Sequence, residues 1–85
     1  MEKYYAKLVT LNAGYPHDKL QVKKNLILGN TYVIEDMYIS AWYTDVYLEG
    51  FSGGFNSVFF EFYNENGEEV DFLSIPFATR AYEED

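Results

Sequence analysis

The stretch NSVFFEFYNENGEEVDFL, residues 56–73, carries the clearest structural signal in this sequence. In its first half, Val58, Phe60 and Phe62 alternate with more polar positions, the period of two that is typical of a strand with one face in a core. An Asn-Gly pair then interrupts the pattern, and strand-forming residues resume at position 69. Because Asn-Gly between two such runs strongly favours a two-residue turn, the stretch predicts a β-hairpin.

Further strands are predicted on both sides of this hairpin. Segments rich in Tyr, Val and Ile, bounded by Gly, Asn, Ser or Pro, mark them. The five predicted strands cover residues 4–11, 31–39, 42–49, 56–63 and 69–73. Residues 19–28 fit either a short helix or an extended arm, and the tail at 78–85 is predicted to fray. We therefore predict one domain over residues 1–85, mainly β, with at most one short helix.

Three segments also resemble a known family of small barrels. LGNTYVIED (28–36) resembles the start of the second strand of small SH3-like barrel proteins of Gram-positive bacteria and their phages. VYLEG (46–50) and FNSVFF (55–60) are similar to the hydrophobic core pattern of the same proteins. The resemblance implies a five-stranded SH3-like barrel and does not by itself imply a function. The loop at 12–18 lacks the acidic cluster of eukaryotic SH3 domains, so no peptide-binding residues are transferred.

The charge of the chain is distributed unevenly. Residues 1–34 contain five lysines, Glu2 and Asp18, a balance of +3, whereas residues 35–85 contain twelve carboxylates and Arg80, a balance of −11; together they give the formal charge of −8. A field of this sign repels nucleic acid and lipid surfaces and favours basic partners. We therefore expect a protein partner with a basic surface, no direct nucleic-acid binding and no membrane binding.

The residues that normally perform chemistry are scarce. There is no cysteine, which excludes thiolate nucleophiles and thiolate metal sites and fits a cytoplasmic protein. His17 is the single histidine, so no histidine cluster can form within one chain. We predict a protein that is not an enzyme and has no cofactor. Weak metal binding through His17 and a carboxylate stays open as an alternative.

An acidic and aromatic face is the predicted partner-binding site. In the strands at 42–49 and 56–63, aromatic and acidic residues alternate with the apolar ones. If those two strands pair, their outward carboxylates and rings share one surface, on which rings anchor and carboxylates meet Lys or Arg. The predicted site residues are Tyr43, Asp45, Tyr47, Glu49, Glu61 and Tyr63.

The length, the acidity and the absence of cysteine are those of small phage inhibitors of host defence, some of which mimic DNA. This similarity in general properties, which includes no shared motif, predicts a phage-type inhibitor. Such an inhibitor would block a basic nucleic-acid-binding surface, such as that of a CRISPR effector. A structural or assembly protein that self-associates through exposed Tyr and Phe is the main alternative, so a homo-oligomer stays open. A metal-binding protein centred on His17 is the third interpretation, and a solvated acidic face without a partner is the one that requires no binding function.

Overall fold

The longest strand, β2 (Thr31–Ile39), organises the fold, because strands on both of its sides hydrogen-bond to it. The protein is described from a computed structural model that covers residues 2–81. The remaining elements follow in chain order. They are β1 (Tyr5–Leu8), α1 (Pro16–Asn25), β3 (Thr44–Leu48), β4 (Gly54–Asn56), β5 (Phe60–Tyr63), β6 (Glu69–Val70) and β7 (Thr79–Arg80). Two turns of 3-10 helix cover Ser57–Phe59 and Phe72–Ser74.

The strands form one antiparallel path in the order β4-β3-β2-β1-β5-β6. β7 adds in parallel to the end of β2, where Tyr38 is opposite Thr79. The 3-10 turn at Ser57–Phe59 connects β4, at one end of the path, with β5 near the other end. Residues from β1, β2, β3, β4 and β5 share a single hydrophobic core, so the sheet curves around that core.

A bulge bends β2 in its middle. Ile34 is opposite Leu48, but the next paired residue, Asp36, is opposite Tyr47, which leaves Glu35 as an extra residue. An extra residue shifts the two-residue alternation by one position. The buried positions of β2 are therefore Ile34, Met37 and Ile39, and both Glu35 and Asp36 face the solvent.

The core is built from the inward faces of the strands together with a few residues of the connections. In β3 the inward residues Thr44, Val46 and Leu48 are buried while Asp45 and Tyr47 are half-buried, as the alternation of this segment predicts. Each large apolar side chain that is fully buried contributes about 1.5–3 kcal/mol relative to its exposed state. The largest fully buried side chains are Phe59, Leu8, Met37, Leu48, Ile75, Val22 and Val46.

The ambiguous segment at 19–28 is mostly helical. Helix α1 begins at Pro16, whose fixed φ suits the first helical position, and the Asp18 carboxylate accepts a hydrogen bond from the Tyr15 amide at 3.1 Å. Lys23 and Lys24 lie in the last turn, where positive charge complements the helix dipole. The chain is extended again from Leu26.

The predicted fold class is confirmed: the domain is mainly β with one short helix. A strand lies within each of the five predicted segments, and two short strands, β4 and β7, add to them. The segment at 69–73 is shorter than predicted. After Val70, the Asp71 side chain accepts from the Leu73 amide, which ends the strand and starts a 3-10 turn.

The prediction of one uninterrupted strand over 56–63 is wrong. The Asn56 side chain accepts from the Val58 amide at 3.2 Å, which ends β4 and begins a 3-10 turn. This turn places Phe59 fully inside, next to the buried Phe60, and leaves Val58 53% exposed. Two consecutive buried residues are incompatible with regular alternation, so Val58 and Phe59 have the reverse of their predicted orientations.

The end of the described chain is tied to the sheet. The sequence predicts a frayed tail over 78–85, whereas Thr79–Arg80 pair with β2 as β7. The Arg80 guanidinium donates to the carbonyls of Leu73, Ile75 and Ala78, at 2.6, 2.9 and 3.1 Å. These charge-assisted bonds hold the connection between β6 and β7. Residues 82–85 lie outside the described residues.

Candidate functional site

The turn between β2 and β3 presents the only tryptophan of the chain to the solvent. Ser40 holds this turn, because its hydroxyl donates to the Tyr43 carbonyl at 2.8 Å and accepts from the Tyr43 amide at 3.2 Å. The Ser40 amide also donates to the Tyr43 carbonyl, at 2.9 Å. The side chain of Trp42 is 92% exposed at the tip. A large ring is thus displayed on a well-bonded turn.

An open groove of about 870 Å³ lies beside this turn. Its walls come from the β2–β3 turn, the residues before α1 and both 3-10 turns. Several of the lining side chains are apolar or aromatic and exposed, namely Tyr15, Trp42, Tyr43, Val58 and Leu73. Open apolar grooves with a few polar groups are typical of binding sites.

Two carboxylates lie at one end of the groove. A smaller cavity of about 300 Å³ shares Tyr15, Trp42, Tyr43 and Asn56 with the groove and adds Asp18, Asp45 and His17. Burial raises the pKa of the Asp45 carboxyl above its ordinary 3.8, and the negative charge of Asp18 raises it further. The groove therefore combines an apolar surface with two neighbouring negative charges. A bound cation would reduce the repulsion between these two carboxylates.

Asp18 is held in place by several neighbours. It accepts from the Tyr15 amide at 3.1 Å and from the Asn56 side-chain amide at 3.3 Å. His17 Nε2 lies 3.3 Å from its other oxygen, and the His17 ring stacks on that of Tyr15 with centroids 6.2 Å apart. These contacts orient the carboxylate towards β4 and fix the start of α1 against the sheet.

The six predicted site residues do not form one face. The premise that their two strands pair is wrong: β3 pairs with β2 and β4, whereas β5 pairs with β1 and β6. Strands β2 and β1 intervene, which separates β3 and β5 by about 14 Å along the sheet. The set divides into Tyr43, Asp45, Tyr47 and Glu49 around β3, and Glu61 and Tyr63 on β5.

Only part of the β3 group borders the groove. Tyr43 and Asp45 line the cavities, but Tyr47 packs over Gly54, where an added Cβ would lie 3.2 Å from its ring. Burial, followed by the charge of Asp45, raises the pKa of the Tyr47 phenol. Glu49 follows the end of β3 and is exposed.

The β5 group has local partners of its own. Glu61 is directly opposite Lys7 in the pairing of β5 with β1, so part of its charge is balanced. The Tyr63 hydroxyl donates to Glu61 at 2.7 Å, and this hydrogen bond raises the pKa of the Tyr63 phenol. This pair is consequently less available to a basic partner than Asp45.

The residues that complete the groove are not among the predicted site residues. The sequence predicts a strand that begins at Trp42, whereas the structure has Trp42 in the turn before β3, next to Ser40-Ala41. Tyr15 and Asp18 reach the site only because α1 folds back onto β4, and Val58 only because of the 3-10 turn. No local pattern predicts those contacts.

No metal site supports the interpretation based on His17. Within residues 2–81 there is no group of three or more His, Asp or Glu side chains that could hold a metal ion. His17 is 78% exposed, and Asp18 is the carboxylate that lies within 4.0 Å of it. A single imidazole with one carboxylate is fewer ligands than a structural zinc site uses.

Comparison with known proteins assigns the chain to a phage family. The family model described as bacteriophage T4 protein Y07B matches residues 3–84. The chain belongs to this family. It is therefore a phage protein, which confirms that part of the prediction. No curated protein and no solved structure matches it, so the SH3-like resemblance stays a prediction. In the part of this Y07B-family chain that the structure describes, no helix is long and apolar enough to cross a membrane.

Proposed function

We propose that this Y07B-family protein is a non-enzymatic binding module that takes a basic region of another protein into the groove beside Trp42. The observation that carries the proposal is the exposure of the Trp42 ring, at 92%, on a turn fixed by Ser40. Its groove adjoins the carboxylates of Asp18 and Asp45. A rigid exposed tryptophan beside carboxylates suits a partner that supplies both apolar contact and positive charge.

The rings supply the larger part of the expected affinity. Tryptophan and tyrosine dominate interface hot spots because they bury a large area with few rotatable bonds. Covering one such ring contributes about 1.5–3 kcal/mol. Trp42, Tyr43 and Tyr15 lie close enough to line the same two cavities, so one partner segment can cover all three.

The carboxylates select the sign of the partner. No lysine or arginine lines either cavity among the described residues. A Lys or Arg side chain seated there would meet Asp18 and Asp45 and could lie over the Trp42 face in a cation–π contact. Complementary charge of this kind raises the association rate and gives specificity.

In its sharper form, the proposal is that the protein inhibits a host nucleic-acid-binding protein, such as a CRISPR effector, by covering its basic surface. The support is the phage family together with the balance of −11 in residues 35–85. Most of those carboxylates lie on or beside strands, where their spacing is held. Rigid negative charge competes with phosphates for the same lysines and arginines.

In this proposal the protein binds its partner and catalyses no reaction. The single histidine is largely exposed, and its carboxylate neighbour Asp18 is engaged by Tyr15 and Asn56. Asp45, whose pKa is raised, lies near Asp18 in the smaller cavity, and within residues 2–81 no serine, threonine or lysine lines that cavity. Perturbed carboxyl groups of this kind occur at binding sites as well as catalytic ones.

The test compares wild-type protein with Trp42→Ala as bait in host lysate. Because Trp42 is the only tryptophan of this chain, its fluorescence reports occupancy of the groove by a purified partner segment that lacks tryptophan. The expected result is a basic partner that binds wild type, shifts the Trp42 emission and loses its own nucleic-acid binding when the complex forms. Trp42→Ala is expected to release that partner while keeping its fold, since the ring makes little contact with the core.

A matched control variant is Tyr63→Phe, which alters an aromatic residue away from the groove. This variant should bind as wild type does. Equal binding by wild type and Trp42→Ala would refute the groove as the site. A captured partner that retains full nucleic-acid binding in the complex would refute the inhibitor form and leave the binding module intact.

A further inference from the structure

A second exposed surface lies on α1 and the residues that follow it. We call the residues Leu20, Lys23, Lys24, Ile27 and Leu28 the basic–aliphatic patch. Leu20 and Ile27 are each 64% exposed, Leu28 is 53% exposed, and both lysines are exposed. Large aliphatic side chains exposed next to one another are a feature of interaction surfaces.

Within the described residues, the lysines of this patch have no acidic partner and its apolar side chains are not covered by other parts of the chain. Residues 19–34 contain no Asp or Glu. No carboxylate of residues 2–81 lies within 4.0 Å of a lysine side-chain nitrogen. In α1 only Val22 is buried, and it packs in the core with Leu26 just beyond the helix, so the rest of the helix surface is turned away from the core.

The patch and the Trp42 groove are connected along both α1 and β2. Asp18 of the smaller cavity and Leu20 of the patch are two residues apart in the same ten-residue helix, so the two surfaces adjoin there. The Asn30 amide donates to the Ile27 carbonyl, which ties the other end of the patch to the start of β2. Trp42 follows the end of the same strand.

The two surfaces are complementary in both charge and chemistry. The patch offers two lysines and three aliphatic side chains, whereas the groove offers Asp18, Asp45 and exposed rings. We propose that the basic–aliphatic patch of one copy of this chain binds the Trp42 groove of a second copy. Lys23 and Lys24 then meet the two aspartates, and the aliphatic side chains cover the rings.

This contact joins two different surfaces, and each copy carries both of them. Two copies can therefore exchange the contact reciprocally as a two-fold dimer, or copies can add head-to-tail into chains. The mass at which wild type stops distinguishes the two arrangements. Each copy has a net charge of −8, but at about 0.15 M salt screening over about 8 Å leaves mainly the charges at the contact to act.

One consequence rests on the proposed function. If the groove also takes a basic partner, that partner competes with the patch of the neighbouring copy and weakens self-association. The contact between copies itself does not require the proposed function. A patch variant retains an intact groove, so it should lose self-association and keep binding to a basic partner, which separates the failure of one proposal from that of the other.

The experiment is sedimentation equilibrium at about 0.15 M salt on wild type and two variants. The patch variant is Lys23→Gln, Lys24→Gln and Ile27→Gln, and the groove variant is Trp42→Ala. The weight-average mass of wild type should rise above the monomer mass of 9.9 kDa with concentration. Each variant alone should stay at the monomer mass. An equimolar mixture of the two should stop at a dimer, since only one complementary pair of surfaces remains.

The control variant is Lys3→Glu, which brings the net charge from −8 to −10, as does the loss of two lysines in the patch variant. It should associate as wild type does; a loss equal to that of the patch variant would overturn the proposal. Wild type that stays monomeric up to about 1 mM would also overturn it, as would a mixture that stays monomeric. Binding of the patch to vesicles of anionic lipid without self-association would assign the patch to a membrane instead.

Discussion

The side-chain amide of Asn56 donates a hydrogen bond to Asp18 across 3.3 Å, and the two residues are 38 positions apart in the sequence. The carbonyl oxygen of the same side chain accepts from the Val58 amide at 3.2 Å. Asn56 therefore connects the start of α1, the edge strand β4 and the 3-10 turn, which together build one wall of the groove.

The double role of Asn56 can be separated by two substitutions. Asn56→Ala removes both hydrogen bonds and should lower the free energy of unfolding by about 1–2 kcal/mol. Asn56→Asp keeps an acceptor for the Val58 amide but adds a third carboxylate to the pair of Asp18 and Asp45, so its destabilisation should be larger at pH 7 than at pH 3. Urea unfolding at both pH values measures this. Equal stability of Asn56→Asp and wild type at pH 7 would contradict the role of the donor.

The 3-10 turn makes Val58 and Phe59 a matched pair for testing the fold. Phe59→Ala should lower the free energy of unfolding by about 3–5 kcal/mol, because it opens a cavity in the core. Val58→Ala should change it by less than about 0.5 kcal/mol, since that side chain faces the solvent. Thermal unfolding followed by circular dichroism distinguishes the two; the opposite order would restore the uninterrupted strand that the sequence predicts.

Val58 and Phe59 are also the positions at which the hydrophobic alternation predicts the wrong orientation. In β3 the alternation of Thr44, Val46 and Leu48 is regular, and the structure has the orientation that the pattern predicts. The pattern fails where a polar side chain interrupts the strand, because a hydrogen bond from Val58 to Asn56 changes the direction of the chain without changing its hydrophobicity.

The proposed site follows from the sequence only in part, for a related reason. The regular alternation of β3 predicts that Asp45 faces outward, as the structure has it. Glu61 joins the predicted site only if its strand pairs with β3, but β1 lies beside β5. Strand order depends on contacts between distant parts of the chain, such as that of Asp18 with Asn56, and local periodicity does not encode them.

The raised pKa of Asp45 predicts a dependence of stability on pH. Because the carboxyl holds its proton more tightly in the folded state, its contribution favours folding at low pH and is lost as the pH rises from 3.8 through the raised value. Asp45→Asn lacks this loss and should unfold at a higher temperature than wild type at pH 7, with the difference vanishing near pH 3. Glu49→Gln, which removes an exposed charge, is the control. A wild type more stable than Asp45→Asn at pH 7 would contradict burial as the dominant cause.

Asp45 and Glu61 can be compared as isosteric variants in partner binding. Asp45→Asn and Glu61→Gln each change the net charge from −8 to −7, so a general effect of charge would be the same for both. Only Asp45 borders the groove, whereas Glu61 is opposite Lys7 and accepts from Tyr63.

We expect Asp45→Asn to weaken binding of the basic partner about five- to tenfold at low salt, mainly through slower association. Glu61→Gln should have little effect on this binding. Stopped-flow titration of Trp42 fluorescence at several salt concentrations measures both. Equal loss in the two variants would mean that the partner senses the field of the whole domain, and loss in Glu61→Gln alone would move the site to β5.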